Sequence, residues 1–97
     1  MVLEIADFLI RDGDEERFAA AYREAVRHVT GSAGCRGVRL VRGVENPRRF
    51  VLLVEWDGLE DHTKGFRSSP AFTAWRAAVG EFFAHPPHVE HAIDVGP

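Results

Sequence analysis

The sequence "FVLLVEW", residues 50–56, decides the fold of this chain of 97 residues. It is short, lacks glycine and proline, and is rich in β-branched and aromatic residues, which predicts a β-strand. Successive side chains of a strand point to opposite faces. The even-numbered positions from Phe50 to Trp56 therefore share one face, while Val51 and Leu53 lie on the other. Since both faces are apolar, neither side of the sheet is expected to meet water here.

Three further segments are predicted strands because they are short and rich in apolar residues: Val2–Ile10, Cys35–Val44 and Val89–Val95. The first also carries apolar residues on both of its faces. The second is mixed in polarity, which favours a position near the edge of the sheet. The last alternates between polar and apolar residues, as a strand with one buried face does.

A first helix is predicted between the first two strands. Its apolar residues recur at helical spacing from Phe18 to Val29. The acids at Asp14–Glu16 mark its start, where negative charge is favourable, and Gly31 marks its end as a C′ glycine.

A second helical region, broken in two, is predicted between the third and fourth strands. Its first part is a short helix whose apolar face has i, i+3 and i+7 spacing: Leu59, His62 and Phe66. Its second part begins at Ser69, a favourable N-cap that is followed by Pro70 at the first helical position. The sequence "HPP", residues 85–87, ends this helix because proline cannot continue it.

The resulting order, β-α-β-β-α-β, is that of the ferredoxin-like α+β fold. In this fold a four-stranded antiparallel sheet carries its helices on one face. We expect a single domain over residues 1–97.

The opposite face of the sheet would expose about five aliphatic side chains. Burying each is worth roughly 1.5–3 kcal/mol, or roughly 8–15 kcal/mol together. That sum rivals the net stability of a small domain, about 5–15 kcal/mol. An identical subunit is the simplest cover, so we predict an obligate homodimer packed sheet to sheet. The alternative is a monomer with an apolar surface.

Composition excludes several other kinds of protein. The net charge is −3 and the basic residues are scattered, so no nucleic-acid partner is expected. No segment reads as a signal peptide or a membrane span, and Cys35 has no second cysteine to pair with. A cytoplasmic location follows as the expectation. Eleven of the twelve basic residues are arginine, which suggests a bacterial genome rich in G and C.

Two longer stretches resemble a known family. "VEWDGLEDHTKGFRSSPAFTAW", residues 54–75, and "VEHAIDV", residues 89–95, are similar to the antibiotic biosynthesis monooxygenase domain family. The resemblance covers nearly the whole chain and implies a dimeric α+β barrel. Some members of the family oxidise polycyclic aromatic phenols with dioxygen and need neither metal nor flavin. Others degrade haem or process small signalling molecules.

The haem-degrading branch of this family can be compared residue by residue. Those enzymes resemble this chain in fold but use an asparagine in the first strand, where Ala6 and Asp7 stand here. Their tryptophan position falls near Phe66 and their histidine position near Trp75. Without an axial histidine, haem degradation is the third hypothesis.

His62 is the candidate catalytic residue. Its helical phase with Phe66 points the imidazole toward the apolar interior. A cofactor-free oxygenase needs a base there, because a phenol or quinol must become an electron-rich anion before it gives an electron to dioxygen. The same pattern also fits a core histidine bonded to a carbonyl or carboxylate. His91, in phase with Val89, is expected either as a second polar group of the cavity or as a core histidine.

Aromatic residues near the break in the second helical region are expected to form the walls of a cavity for a flat ligand, namely Phe66, Phe72 and Trp75. Arg67 either binds a substrate carboxylate or phenolate or forms a salt bridge with Glu60 or Asp61. Trp56, at a strand end, belongs to the core or to the dimer interface.

No metal site is predicted, because His88 and His91 point to opposite faces of a strand and His85 lies in a turn. The favoured function is a monooxygenase that needs no cofactor and oxidises a small aromatic or quinol-like molecule with dioxygen. The second hypothesis is a non-catalytic dimeric barrel that binds a small hydrophobic metabolite.

Overall fold

A computed structural model describes residues 1–97. Its four strands form one antiparallel sheet in the order β2-β3-β1-β4. Their bounds are Val2–Leu9 for β1, Cys35–Arg42 for β2, Arg49–Trp56 for β3 and His88–Ala92 for β4. This is the ferredoxin-like order, so the fold class predicted from sequence is confirmed, and the mixed-polarity strand lies at an edge as expected.

The helices all lie on one face of this sheet. Their bounds are Glu15–Ala25 for α1, Arg27–Thr30 for α2, Asp61–Phe66 for a π-helical turn, Pro70–Val79 for α3 and Gly80–Phe82 for a 3₁₀ turn. The α3 helix begins as its sequence predicts, since Ser69 Oγ accepts a hydrogen bond of 3.2 Å from the Phe72 N–H.

Fifteen apolar side chains are buried between the sheet and the helices. The β3 strand supplies four of them, at every even position from Phe50 to Trp56. Phe18 of α1 packs edge-on against Phe50, with ring centroids 4.9 Å apart. Trp56 is wholly buried in this core, so it does not belong to the outer face of the sheet.

Three details of the elements differ from the sequence-based expectations. The last strand stops at Ala92 instead of Val95, whose side chain is 91% exposed. The first helix is interrupted at Val26, and its final Gly31 has a right-handed φ of −82°, so it is not a left-handed C′ glycine. Leu59 precedes the π-helical turn and is 46% exposed instead of sharing a buried face with His62.

The face of the sheet away from the helices is apolar at its centre and carries no element of this chain. Side chains of β1 and β3 with this orientation are half-buried, and the aliphatic ones are Leu3, Ile5, Leu9, Val51 and Leu53. An ion pair between Arg49 and Asp7, 2.7 Å from Nη2 to Oδ2, closes one end of this face. We call it the open face below.

Candidate active site

A cavity of about 360 Å³ lies between the inner face of the sheet and the helices. Its floor is formed by β1 and β3, including Ala6 and Leu52, and its roof by the π-helical turn and α3. Ligand pockets usually measure about 300–1,000 Å³, so this one suits a small molecule.

The polar floor of the cavity is a buried carboxyl–imidazole pair. Glu4 and His62 are 6% and 2% exposed, and His62 Nε2 lies 3.3 Å from Glu4 Oε1. The same Glu4 oxygen accepts a hydrogen bond of 3.0 Å from Trp56 Nε1. On its other side, His62 Nδ1 shares a 2.8 Å hydrogen bond with His91 Nε2. We call these four residues the Glu4–His62 network.

Two features of the fold bring this network together. The π-helical turn directs His62 inward over Trp56, where the two rings stack with centroids 5.4 Å apart. The register of the sheet is the second feature, because it places Glu4 of β1 opposite His91 of β4. Residues directly opposite each other in a sheet have their side chains on the same face, so His91 is held beside the pair.

Burial sets the protonation of this network. Desolvation lowers the pKa of His62 to about 4, and the positive charge of Arg67 adds to the effect. The pKa of His91 is lowered for the same two reasons. Desolvation raises the pKa of Glu4, against the opposing effects of the Trp56 hydrogen bond and of Arg67. His62 is therefore a neutral imidazole at pH 7.

One atom of the network is available to a ligand. Glu4 Oε1 has two protein partners, whereas Glu4 Oε2 has none. No fully buried polar side-chain atom of the chain lacks a partner, so Oε2 keeps solvent access through the cavity that Glu4 lines. His91 does not line the cavity, contrary to one expectation. It lies behind His62, beside a shallow surface groove with Val2 and Leu59.

The three aromatic residues predicted as walls all line the cavity. Phe66 and Phe72 meet edge-on with ring centroids 5.4 Å apart. Trp75 is buried on α3 and packs edge-on against Tyr22 of α1, at 6.1 Å. The resulting surface offers both ring faces and ring edges to a flat apolar ligand.

Arg67 also lines the cavity, and the predicted salt bridge to Glu60 or Asp61 is wrong. Glu60 pairs with Lys64 at 3.4 Å, and Asp61 Oδ2 accepts the Gly58 N–H at 2.9 Å. The expectation that Arg67 lies within reach of a ligand is consistent with its position.

Sequence reasoning missed two charged residues of the cavity, Glu4 and Arg76. Glu4 is in phase with Ala6 and Phe8 on β1, so an acid on an apolar strand face was the signal that could have found it. Arg76 follows Phe72 by one helical turn, and its guanidinium lies 5.8 Å from the centroid of that ring.

The other histidines lie apart from the cavity. His85 Nδ1 contacts the Pro86 carbonyl at 3.0 Å, and His88 Nε2 contacts Glu90 at 3.4 Å. No three side chains of the histidine, cysteine or acid type are grouped as metal ligands. His62 is the one histidine that lines the cavity, and its Nδ1 is bonded to His91. No helix has the length and apolar character needed to cross a membrane.

The fold and the site together define a class of protein: a ferredoxin-like α+β chain with an aromatic cavity that holds a carboxyl–imidazole pair. The profile of the family "Antibiotic biosynthesis monooxygenase" matches residues 1–78. YczJ of Bacillus subtilis strain 168 is 40% identical over 95 residues, which are 98% of this chain and 100% of YczJ. This chain belongs to the antibiotic biosynthesis monooxygenase family.

Solved structures agree with this assignment. A crystal structure from Bordetella bronchiseptica, of a protein assigned to the same monooxygenases, superposes with a TM-score of 0.94 at 40% identity. The match covers 97% of this chain and 96% of that one. SnoaB of Streptomyces nogalater, a cofactor-independent oxygenase, superposes with a TM-score of 0.83 over 99% of this chain and 94% of its own. Its identity is 12%, so that match shows the fold alone.

Proposed function

We propose that this chain is a monooxygenase that needs no cofactor and oxidises a small aromatic or quinol-like molecule with dioxygen. The observation that carries the proposal is the Glu4–His62 network, a buried proton-accepting pair at the floor of an aromatic cavity. Membership of the family supports the reaction type, and SnoaB shows that a protein of this fold can work without a cofactor.

The reaction requires a substrate anion. An anthrone, for example, loses a proton, and the anion transfers an electron to dioxygen before the two radicals combine. Loss of water from the resulting hydroperoxide leaves a new carbonyl group, so one oxygen atom enters the product and the other leaves as water. The protein's task in this sequence is to accept the first proton and to hold the ring.

His62 is the proposed base and acts together with Glu4. The substrate proton passes to the free Glu4 Oε2 while the proton held on Glu4 Oε1 passes to His62 Nε2, and the Nδ1 proton of His62 passes to His91 Nε2. His91 is half-buried beside the surface groove, where it can exchange with water. Phe66, Phe72 and Trp75 hold the flat ring, and Arg67 lies beside the cavity as a ligand for a negative group.

Oxygen consumption with an anthrone in metal-free buffer tests this proposal. We expect His62→Gln to lower kcat by about 100-fold or more, the usual contribution of a general base. His85→Gln is the matched control, because His85 is exposed and does not line the cavity. Unchanged turnover in His62→Gln would show that His62 is not the base.

A non-catalytic binding protein is the second candidate, and one observation favours it. Both ring nitrogens of His62 already have partners, as expected of a histidine that only stabilises the core. Binding of naphthalene derivatives by the wild-type protein, with no oxygen uptake above the buffer rate, would support this candidate over the monooxygenase. We also propose that the chain works as a homodimer through the open face.

A further inference from the structure

Two arginines line the cavity without an acidic partner. The guanidinium groups of Arg67 and Arg76 make no hydrogen bond or ion pair with the rest of the chain. Both side chains are exposed, and Arg76 lies over the face of Phe72. The aromatic wall of the cavity is therefore bordered by two positive charges.

The acids near these arginines do not neutralise them. Glu4 is the one acid that lines the cavity; Trp56 and His62 contact its Oε1, and neither arginine pairs with it. Burial raises the pKa of Glu4, which favours its uncharged form. Glu60 and Asp61, close to Arg67 in sequence, have their own partners elsewhere. The two guanidinium groups that line the cavity are thus left without a carboxylate partner in this chain.

Four of the eleven arginines are paired with carboxylates, namely Arg17, Arg36, Arg42 and Arg49. Among the arginines without an ion pair, Arg67 and Arg76 are the two that line the cavity. The guanidinium group is planar and suited to carboxylates, and it also stacks on aromatic rings. Two such groups beside aromatic walls match a flat molecule that carries a negative charge.

We propose that the ligand of this cavity is a flat aromatic molecule bearing a carboxylate or similar anionic group, which Arg67 and Arg76 bind while the ring lies against Phe66, Phe72 and Trp75. The inference rests on the proposed function in that the same cavity holds the substrate. It adds the charge of that substrate and the residues that select it.

A matched pair of probes tests the charge. Naphthoate and naphthamide have nearly the same shape, but only naphthoate is anionic at pH 7. We expect the wild-type protein to bind naphthoate about 10-fold more tightly, as measured by calorimetry or by quenching of Trp75 fluorescence. The preference should shrink as salt is added, because both arginines are exposed to screening.

Variants show which residues cause the preference for naphthoate over naphthamide. The double variant Arg67→Gln, Arg76→Gln should bind the two probes equally, with naphthamide affinity retained. Arg23→Gln is the control, since Arg23 is also exposed and without an ion pair but does not line the cavity. The Arg23→Gln variant should keep the 10-fold preference for naphthoate. Because all three positions are exposed, the thermal midpoints of the variants should stay near that of the wild type.

Three results would overturn the inference: equal binding of both probes by the wild type, an equal loss of preference in Arg23→Gln, or no binding of either probe at millimolar concentration. The experiments distinguish a failure of this charge inference from a failure of the proposed function. Oxidation of a neutral anthrone without any preference for anions would remove the charge inference and keep the oxygenase. Selective binding of naphthoate without oxygen uptake would support the charge inference and remove the oxygenase.

Discussion

At the scale of single residues, the proposed chemistry depends on the protonation of His62. An imidazole at the surface would be partly charged near pH 6.5, its ordinary pKa. Burial lowers that pKa to about 4, so His62 is neutral throughout the physiological range. Its two neighbours are Glu4, which lines the cavity, and His91, which lies toward solvent, and in the proposed reaction the three form the proton path.

The stability of the protein should depend on pH through this residue. As pH falls below 6.5, the unfolded chain binds a proton at position 62, whereas the folded protein binds it only near pH 4. The contribution is therefore complete above pH 6.5 and is lost as pH falls toward 4. Between pH 7 and 5 we expect a loss of about 2 kcal/mol from this residue alone.

Urea unfolding at the two pH values measures this loss. Glu4 titrates in the opposite direction, because its raised pKa makes protonation favourable in the folded state. The loss of unfolding free energy is best compared between Glu4→Gln and the double variant Glu4→Gln, His62→Gln. Neither chain has a titrating carboxyl group at position 4, so the difference between them reports on His62. If both chains lose the same stability between pH 7 and 5, His62 is not held neutral by burial.

The sequence could predict that His62 points inward but not what it contacts. Its phase with Phe66 was enough for the first point, and both residues are buried. The contact with His91 depends on the register of β4 on β1, and no local pattern in the sequence encodes that register. Glu4 was within reach of sequence analysis, since its phase on β1 matches that of Ala6.

At the scale of elements, the π-helical turn between β3 and α3 shapes the site. The Arg67 N–H reaches back five residues to the His62 carbonyl at 3.1 Å, which makes the turn wide. His62 and Phe66 both face the core from this turn, with ring centroids 6.2 Å apart. Asp61 fixes its start by accepting the Gly58 N–H.

Gly34 supports this turn from the loop before β2. It has a positive φ of 84°, and an added Cβ would overlap the side chain of Asp61. We expect Gly34→Ala to cost about 1–3 kcal/mol of unfolding free energy through backbone strain and this contact. Gly13 is the control because its φ is also positive, at 90°, but no atom lies within 4 Å of its added Cβ. Equal losses for the two alanine variants would mean that the Asp61 contact has no role.

Sequence periodicity predicted every strand but not where β4 ends. The alternation of β4 continues to Val95, yet the strand stops at Ala92, which pairs with Leu3 near the start of β1. Ile93 is 68% exposed although Val2 of β1 would lie opposite it in the same register. A local pattern describes the strand itself but not the residue at which its pairing ends.

At the scale of the whole molecule, the open face and the cavity lie on opposite sides of the sheet. The face is apolar and half-buried at its centre, as the two-sided pattern of β3 predicted. A second copy packed on it would bury its aliphatic residues. The proposed dimer therefore stabilises the sheet that carries Glu4 on its other face.

A charge at the centre of the open face should separate the subunits. Leu53→Arg buries an unpaired guanidinium in the proposed interface and should weaken dimerisation on the order of 100-fold or more. Sedimentation equilibrium measures the change. Val44→Arg is the control, because Val44 is 88% exposed in the loop between β2 and β3. A wild-type protein that is already monomeric at micromolar concentration would contradict the dimer.

The most direct test of the central claim is the fate of dioxygen. With an anthrone under oxygen-18 gas in ordinary water, the wild-type protein should place one labelled atom in the new carbonyl group of the product. Mass spectrometry of the product, after subtraction of the buffer reaction, gives this number, and His62→Gln should form little labelled product. A product without the label, or formation no faster than in buffer, would contradict the account of this cavity as an oxygenase site.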